Sequence, residues 1–287
     1  MTTPPEDRSV LTRAAPAPDE VHAYGEGPDR VVEVFRGASH AAGRPSIVLV
    51  HGGFWRPAYD RVHLRPLATA VRAQGRTVVS VEYGRRPGDP DGTTADVRAA
   101  LAAAAEVVGG PVVVAGHSAG GHLALWAAAV APAAGLVATV ALAPVADLRA
   151  ADREHLGGGA VHDFLGESAD GRPDLDPVRL DPPGAPVWIV HGELDAVVPI
   201  ASAHSYRRAH PGTEVVALPA AGHFALIDPL DPAWSVVRDR LLGPARPTSS
   251  GSPAGSASPN RRSERRGSGA GPRPCGTTQE DPRPGLR

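Results

Sequence analysis

Three residues stand where a chain can do covalent chemistry: Ser118, Asp195 and His223, each directly behind a short apolar run. Ser118 is the centre of Gly116-His117-Ser118-Ala119-Gly120, between Pro111-Val112-Val113-Val114-Ala115 and an Ala- and Leu-rich stretch. A serine hydroxyl is a poor nucleophile unless its oxygen is exposed and a base takes its proton. A tight strand-to-helix turn exposes it, and glycines two before and two after prevent collisions there. The helix that follows also aims free N–H groups and a positive dipole end at an oxyanion forming beside the serine. A glycine-rich connector without function is the simpler reading of the five-residue pattern, and the flanking strand and helix weigh against it.

The base needs an orienting carboxylate. In a sheet of this kind the chain order is serine, acid, histidine. Asp195, in His191-Gly192-Glu193-Leu194-Asp195, and His223, in Gly222-His223-Phe224, fulfil that order. Glu193, two positions earlier, and Asp147, behind the preceding strand, remain rivals for the acid. Donors for the oxyanion are the amide of Ala119 and those of Gly53 and Phe54, where His51-Gly52-Gly53 lets the backbone turn inward. His51 serves to hold that loop and does not react. The same glycine loop is a poor phosphate site because no Gly-Lys-Ser/Thr follows. Trp55, Tyr59, His122 and Phe164 are candidate substrate-binding residues near this edge, with Phe54 and Trp126 as further aromatic walls. For Trp126, packing is the better reading.

The elements that must position these residues alternate. Apolar runs at 46–50, 77–83, 111–115, 136–143, 186–190 and 214–218 are separated by helical patterns at 61–74, 93–108, 119 onward and 232–242. Hydroxyl caps at Thr93 and Thr94 mark the start of the second helix. Such alternation predicts an α/β fold, a mostly parallel sheet with helices on both faces. Two short strands at 21–24 and 30–35 read as antiparallel edge strands. The alternation stops over 144–183, a segment expected to form a small cap over the active edge. Residues 1–20, Pro-rich and polar, and the Arg/Ser/Gly/Pro-rich tail 244–287 are expected to be disordered, which leaves 21–243 as the domain.

Composition narrows the function classes. The chain has 287 residues, a formal charge of −2 and 42% hydrophobic residues. All 29 basic residues are arginine. Near-neutral charge makes no case for nucleic acid as a partner. No run of about 18 apolar residues suggests a membrane span, and the first residues lack a leader pattern, so a cytoplasmic location is expected. The single cysteine, Cys275, allows no internal disulfide. No metal site and no cofactor are expected. The partner is a small acyl substrate, and the sequence leaves monomer or homodimer open.

His51-Gly52-Gly53-Phe54-Trp55, the Gly-His-Ser-Ala-Gly-Gly-His stretch at 116–122, His-Gly-Glu-Leu-Asp-x-x-Val-Pro at 191–199 and Gly222-His223-Phe224 together resemble the α/β-hydrolase superfamily. Within it the sequence is similar to the esterase branch of kynurenine formamidase-like and hormone-sensitive-lipase-like enzymes, over residues 21–242. Phe54 stands where the lipase-like relatives carry a third glycine, which favours the formamidase-like side. The resemblance implies Ser118 as nucleophile, His223 as base, Asp195 as its orienter, and Gly53, Phe54 and Ala119 as the oxyanion hole. It implies hydrolysis of an N-formyl arylamine such as N-formylkynurenine. A short-chain carboxylesterase or small dipeptidyl-type serine peptidase is the second reading, and a non-enzymatic ligand-binding member of the fold a third.

Overall fold

The structure, a computed structural model, describes residues 6–38 and 43–243. The tail and Cys275 lie outside the described residues. Eight strands form one sheet: β1 (Glu20–Ala23), β2 (Val31–Phe35), β3 (Ser46–Val50), β4 (Val78–Val81), β5 (Val112–His117), β6 (Leu136–Leu142), β7 (Val187–Gly192) and β8 (Glu214–Leu218). Their order across the sheet is β1-β2-β4-β3-β5-β6-β7-β8. β2 pairs antiparallel with both β1 and β4, and β3 to β8 run parallel to one another. All the parallel strands therefore end at one edge, where an open α/β sheet binds ligands.

Continuous apolar runs make sense in such a sheet because both faces are covered. In β3, Val48 and Val50 enter one core, while Ile47 and Leu49 enter another on the opposite face. β5 divides likewise, Val112 and Val114 to the first, Val113 and Ala115 to the second. Helices α2 (Pro90–Val108) and α3 (Ala119–Val130) cover the first face. Helix α1 (Arg65–Ala73) and the closing helix, Trp234–Leu242, cover the second.

Three local expectations are corrected. The 61–74 helix opens as a single tight turn at Arg61–Leu64, capped by Asp60 accepting from the Val62 amide at 2.9 Å, and α1 proper begins at Arg65. Pro66 has no N–H to continue an α-helical ladder back to Val62, so the helix restarts there. Helix α2 starts at Pro90 rather than Thr93, because the Asp89 carboxylate accepts from the Gly92 amide at 3.0 Å and Pro90 occupies the first turn. Thr94 instead returns its hydroxyl to Pro90 O at 2.9 Å. Finally, the residues before 20 are not all without structure: Ser9–Thr12 form a turn that buries Val10 to 1% exposure among residues of the second core.

Between β6 and β7 lie α4 (Leu148–Arg153), α5 (Leu156–Leu165) and three short turns. Phe164, Leu165, Ala169 and Leu175 from this segment are buried in the first core. It is anchored to α3 through His122 Nε2 and Leu175 O, 2.8 Å apart, and through Trp126 Nε1–H, which donates to Asp174 O at 3.2 Å.

Candidate active site

Ser118 sits between β5 and α3 with φ 57° and ψ −120°. Such a backbone costs a non-glycine residue on the order of 1–3 kcal/mol and persists only where its surroundings enforce it. They do so here. The Ser118 amide donates to Leu142 O at 2.8 Å, and its carbonyl accepts from the His122 and Val145 amides at 3.0 and 3.3 Å. A methyl group on Gly116 would overlap the Gly120 backbone, and one on Gly120 would overlap the carbonyls of Val50 and His51. Gly120→Ala is accordingly expected to lower Tm by about 5–10 °C in a circular-dichroism melt, since backbone offers no soft side chain to give way.

Asp195 and His223 meet. The Asp195 carboxylate is fully buried, and His223 Nδ1–H donates to its Oδ2 at 2.8 Å. Its Oδ1 accepts from the amides of Val197 and Val198 at 2.9 and 2.7 Å. Burial works to raise the Asp195 pKa, but hydrogen bonds from His191 and His223 outweigh it and hold the carboxyl well below its ordinary range. The group is therefore an anion, and it fixes the His223 tautomer with Nε2 free to accept a proton. Neither rival bonds to His223. Asp147 caps α4, accepting from Ala150 N at 2.8 Å and from Ser205 Oγ, and Glu193 is exposed on the loop.

Ser118 and His223 line one small cavity of about 40 Å³, together with Gly53, Phe54, Tyr59, His63, His117, Val197 and Phe224 and, from the amino-terminal segment, Arg8 and Leu11. That is room for about three waters. No hydrogen bond joins Ser118 Oγ to His223 among the described residues; in substrate-free enzymes this contact commonly tightens only on binding. Ala119 opens α3, so its amide has no partner one turn back. Gly53 and Phe54 have φ of 114° and 55°, and their amides have no acceptor among the described residues. His51 holds this loop: Nδ1 lies 2.8 Å from Gly52 O, and Nε2 lies 2.8 Å from Glu82 Oε1 and 3.1 Å from Arg85 Nη1. Tyr83 stacks on the His51 ring at 4.4 Å and donates its hydroxyl to His51 O at 2.7 Å.

Of the four expected substrate-binding residues, the structure brings only Tyr59 to the cavity. Trp55, His122 and Phe164 are corrected to core: Trp55 and Phe164 stack at 4.6 Å and His122 meets Trp55 edge-on at 5.1 Å, all three buried. No residue of the 144–183 segment lines the cavity. Sequence reasoning missed Phe224, His117 and the amino-terminal wall. His117 Nε2–H donates to His223 O at 3.1 Å, and its ring lies 4.5 Å from that of His223. Burial first, then the neighbouring His223, pushes the His117 pKa well down, so it stays neutral. Its position beside the serine was the available signal.

Among the described residues no group of three or more His, Cys, Asp or Glu is arranged to hold a metal ion, and no helix is long and apolar enough to cross a membrane.

A sheet whose strand ends carry a sharp serine turn and a buried Asp–His pair is the architecture of an α/β hydrolase. The chain belongs to the alpha/beta hydrolase family, whose model matches residues 47–234. No curated protein sequence matches it. Among solved structures, a candidate thioesterase from Silicibacter sp. is 28% identical, with a TM-score of 0.64 over 78% of this chain and 86% of that one. Esterase B from Lactobacillus rhamnosis, captured with a tributyrin phosphonate, is 19% identical with a TM-score of 0.65, over 79% and 86% of the two chains. Esterase 2 from Thermogutta terrifontis, with propionate bound, is 21% identical with a TM-score of 0.59, over 77% and 91%.

Proposed function

We propose that this chain is a serine hydrolase that removes a small acyl group from an aryl amide or ester, with N-formyl arylamines as its preferred class. Ser118 is the nucleophile, His223 the base and Asp195 the carboxylate that orients it. The observation that carries this reading is the 2.8 Å His223–Asp195 hydrogen bond beside Ser118 in a cavity of about 40 Å³.

On this reading Ser118 Oγ attacks the acyl carbon as His223 Nε2 takes its proton, and Asp195 stabilises the resulting imidazolium. The amides of Gly53, Phe54 and Ala119 receive the oxyanion, each worth a few kcal/mol to the transition state. His223 then protonates the leaving amine or alcohol, and a water that it activates frees the acyl group. The narrow cavity suits formyl or acetyl. Phe54, Tyr59 and Phe224 in its wall suit a flat aromatic leaving group.

Asp195→Asn is expected to lower kcat about 10⁴-fold, since the amide donates its N–H to Nδ1 and leaves the ring proton on Nε2, which then cannot accept from Ser118. Steady-state rates at pH 7.5 on one substrate test this, and a loss under tenfold would remove Asp195 from the site. Formate release from N-formylkynurenine, measured against cleavage of 4-nitrophenyl acetate, tests the substrate class. A kcat/KM at least tenfold higher on the formamide supports it. The reverse ratio favours a short-chain esterase or thioesterase, the reading that the Silicibacter neighbour's name supports.

A further inference from the structure

The wall of the cavity has two origins. Most of it comes from loops at the strand ends, but Arg8 and Leu11 come from the amino-terminal segment, more than 100 positions before Ser118 in the chain. That segment is tied down at several points. The Glu6 carboxylate accepts from the His223 amide, Val10 is buried to 1% exposure, and Arg13 forms a two-pronged ion pair with Asp228, one arm at 2.7 Å. The Arg8 guanidinium lies over the Phe224 ring, 5.0 Å from its centroid.

Arg8 is exposed, and no carboxylate among the described residues pairs with it. The nearest acids along the chain are committed elsewhere, Glu6 to the His223 amide and Asp7 to the Ser9 amide at 2.8 Å. Two other basic side chains of the wall, His63 and His117, are kept neutral by burial, His63 down to about 3. An uncompensated guanidinium thus faces the reaction site, and guanidinium is the side chain best shaped to grip a carboxylate with two parallel hydrogen bonds. Its place beside Phe224, next to the residue that protonates the leaving group, puts it on the leaving-group side.

We propose that Arg8 binds an anionic group on the leaving amine or alcohol, so that the substrates of this site are small acyl derivatives of carboxylate-bearing aryl compounds. The assignment of a leaving-group side rests on the serine-hydrolase reading above; the anion site itself stands on the cavity and on Arg8.

The test uses the full chain and two matched acetates, 4-nitrophenyl acetate and 3-carboxy-4-nitrophenyl acetate, whose leaving phenols differ by one carboxylate. Arg8→Gln is expected to lower the ratio of kcat/KM, carboxylated over neutral ester, about tenfold, chiefly through KM, with Arg8→Lys intermediate. The wild-type ratio is expected to fall as salt is raised from 20 to 300 mM. An unchanged ratio in Arg8→Gln overturns the proposal, because a merely structural role for the segment would depress both esters alike. Calorimetric binding of the two free phenols to the Ser118→Ala chain, with Arg8 or Gln at position 8, separates this failure from that of the hydrolase reading. Tighter binding of the carboxylated phenol that requires Arg8 upholds the anion site even if neither ester is cleaved; equal binding of both phenols sinks it whatever the turnover.

Discussion

Ser118→Ala is expected to reduce turnover of any cleaved ester or amide by about 10⁵-fold or more, while Tm moves by no more than about 1 °C. The two halves of this expectation have separate physical sources. On the proposed mechanism, without Oγ His223 has no proton to take and no acyl-enzyme forms, so what would remain is the help of the Gly53, Phe54 and Ala119 amides to direct attack by water. The fold, in contrast, loses one oxygen that makes no hydrogen bond among the described residues. Alanine meets the same φ of 57° at the same cost as serine, and the hydrogen bonds that hold the turn run through the Ser118 backbone. Since serine and base act as one unit, Ser118→Ala/His223→Ala is expected to be no slower than the single variant. A fluorophosphonate probe should label the wild-type chain at Ser118 and leave the variant blank. A residual rate within tenfold of wild type, or labelling that persists, would remove Ser118 from the chemistry.

Ser118 and Asp195 are legible because each follows a strand buried on both faces, whereas His223 follows the partly exposed edge strand β8 and is marked instead by its place in the chain order. Val48 and Val50 need one core and Ile47 and Leu49 the other, which forces an unbroken apolar run and marks where the strand ends. In a parallel sheet, knowing the strand ends is knowing one edge. Side chains that meet only through tertiary packing left no such trace. Trp55, His122 and Phe164 sit near the chemistry in sequence or by expectation, yet they spend their surface on one another. The wall made by Arg8 and Leu11 was hidden for the opposite reason. A polar, proline-rich segment reads as unfolded, and its anchors at His223 and Asp228 lie more than 200 positions away. The start of α2 was misread on a smaller scale: Asp89-Pro90 is a good cap and first turn, but proline and glycine on either side make the stretch look like a loop.

Unfolding by mild acid is the second large effect expected. Burial holds His51 and His63 down to about 3 and His122 to about 4, and drives His117 well below the ordinary value of 6.5. In the unfolded chain all four take up a proton near pH 6.5, whereas in the folded chain they stay neutral until the pH is far lower. Stability that these groups contribute is thus complete above pH 6.5 and is lost as pH falls toward 4. Asp176 opposes them: burial raises it to about 6, so the folded chain gains that proton before the unfolded chain does at 3.8. The unfolded state therefore binds about three more protons than the folded state near pH 5. At about 1.4 kcal/mol per proton and pH unit, stability should drop by about 4 kcal/mol for each unit between pH 6 and 4. Domains are stable by only about 5–15 kcal/mol, so the chain should unfold between about pH 5 and 4. Asp195, whose pairing with His223 keeps it ionised, steepens the loss at the lower end. Urea midpoints at pH 7.5, 6.5, 5.5 and 5.0 measure the slope, and His122→Gln should lessen it by about one proton. A midpoint that stays level down to pH 5.0 would show that these histidines are charged or solvated in the folded chain. The neutral wall around Ser118, against which Arg8 is the uncompensated charge, would then have to be abandoned with it.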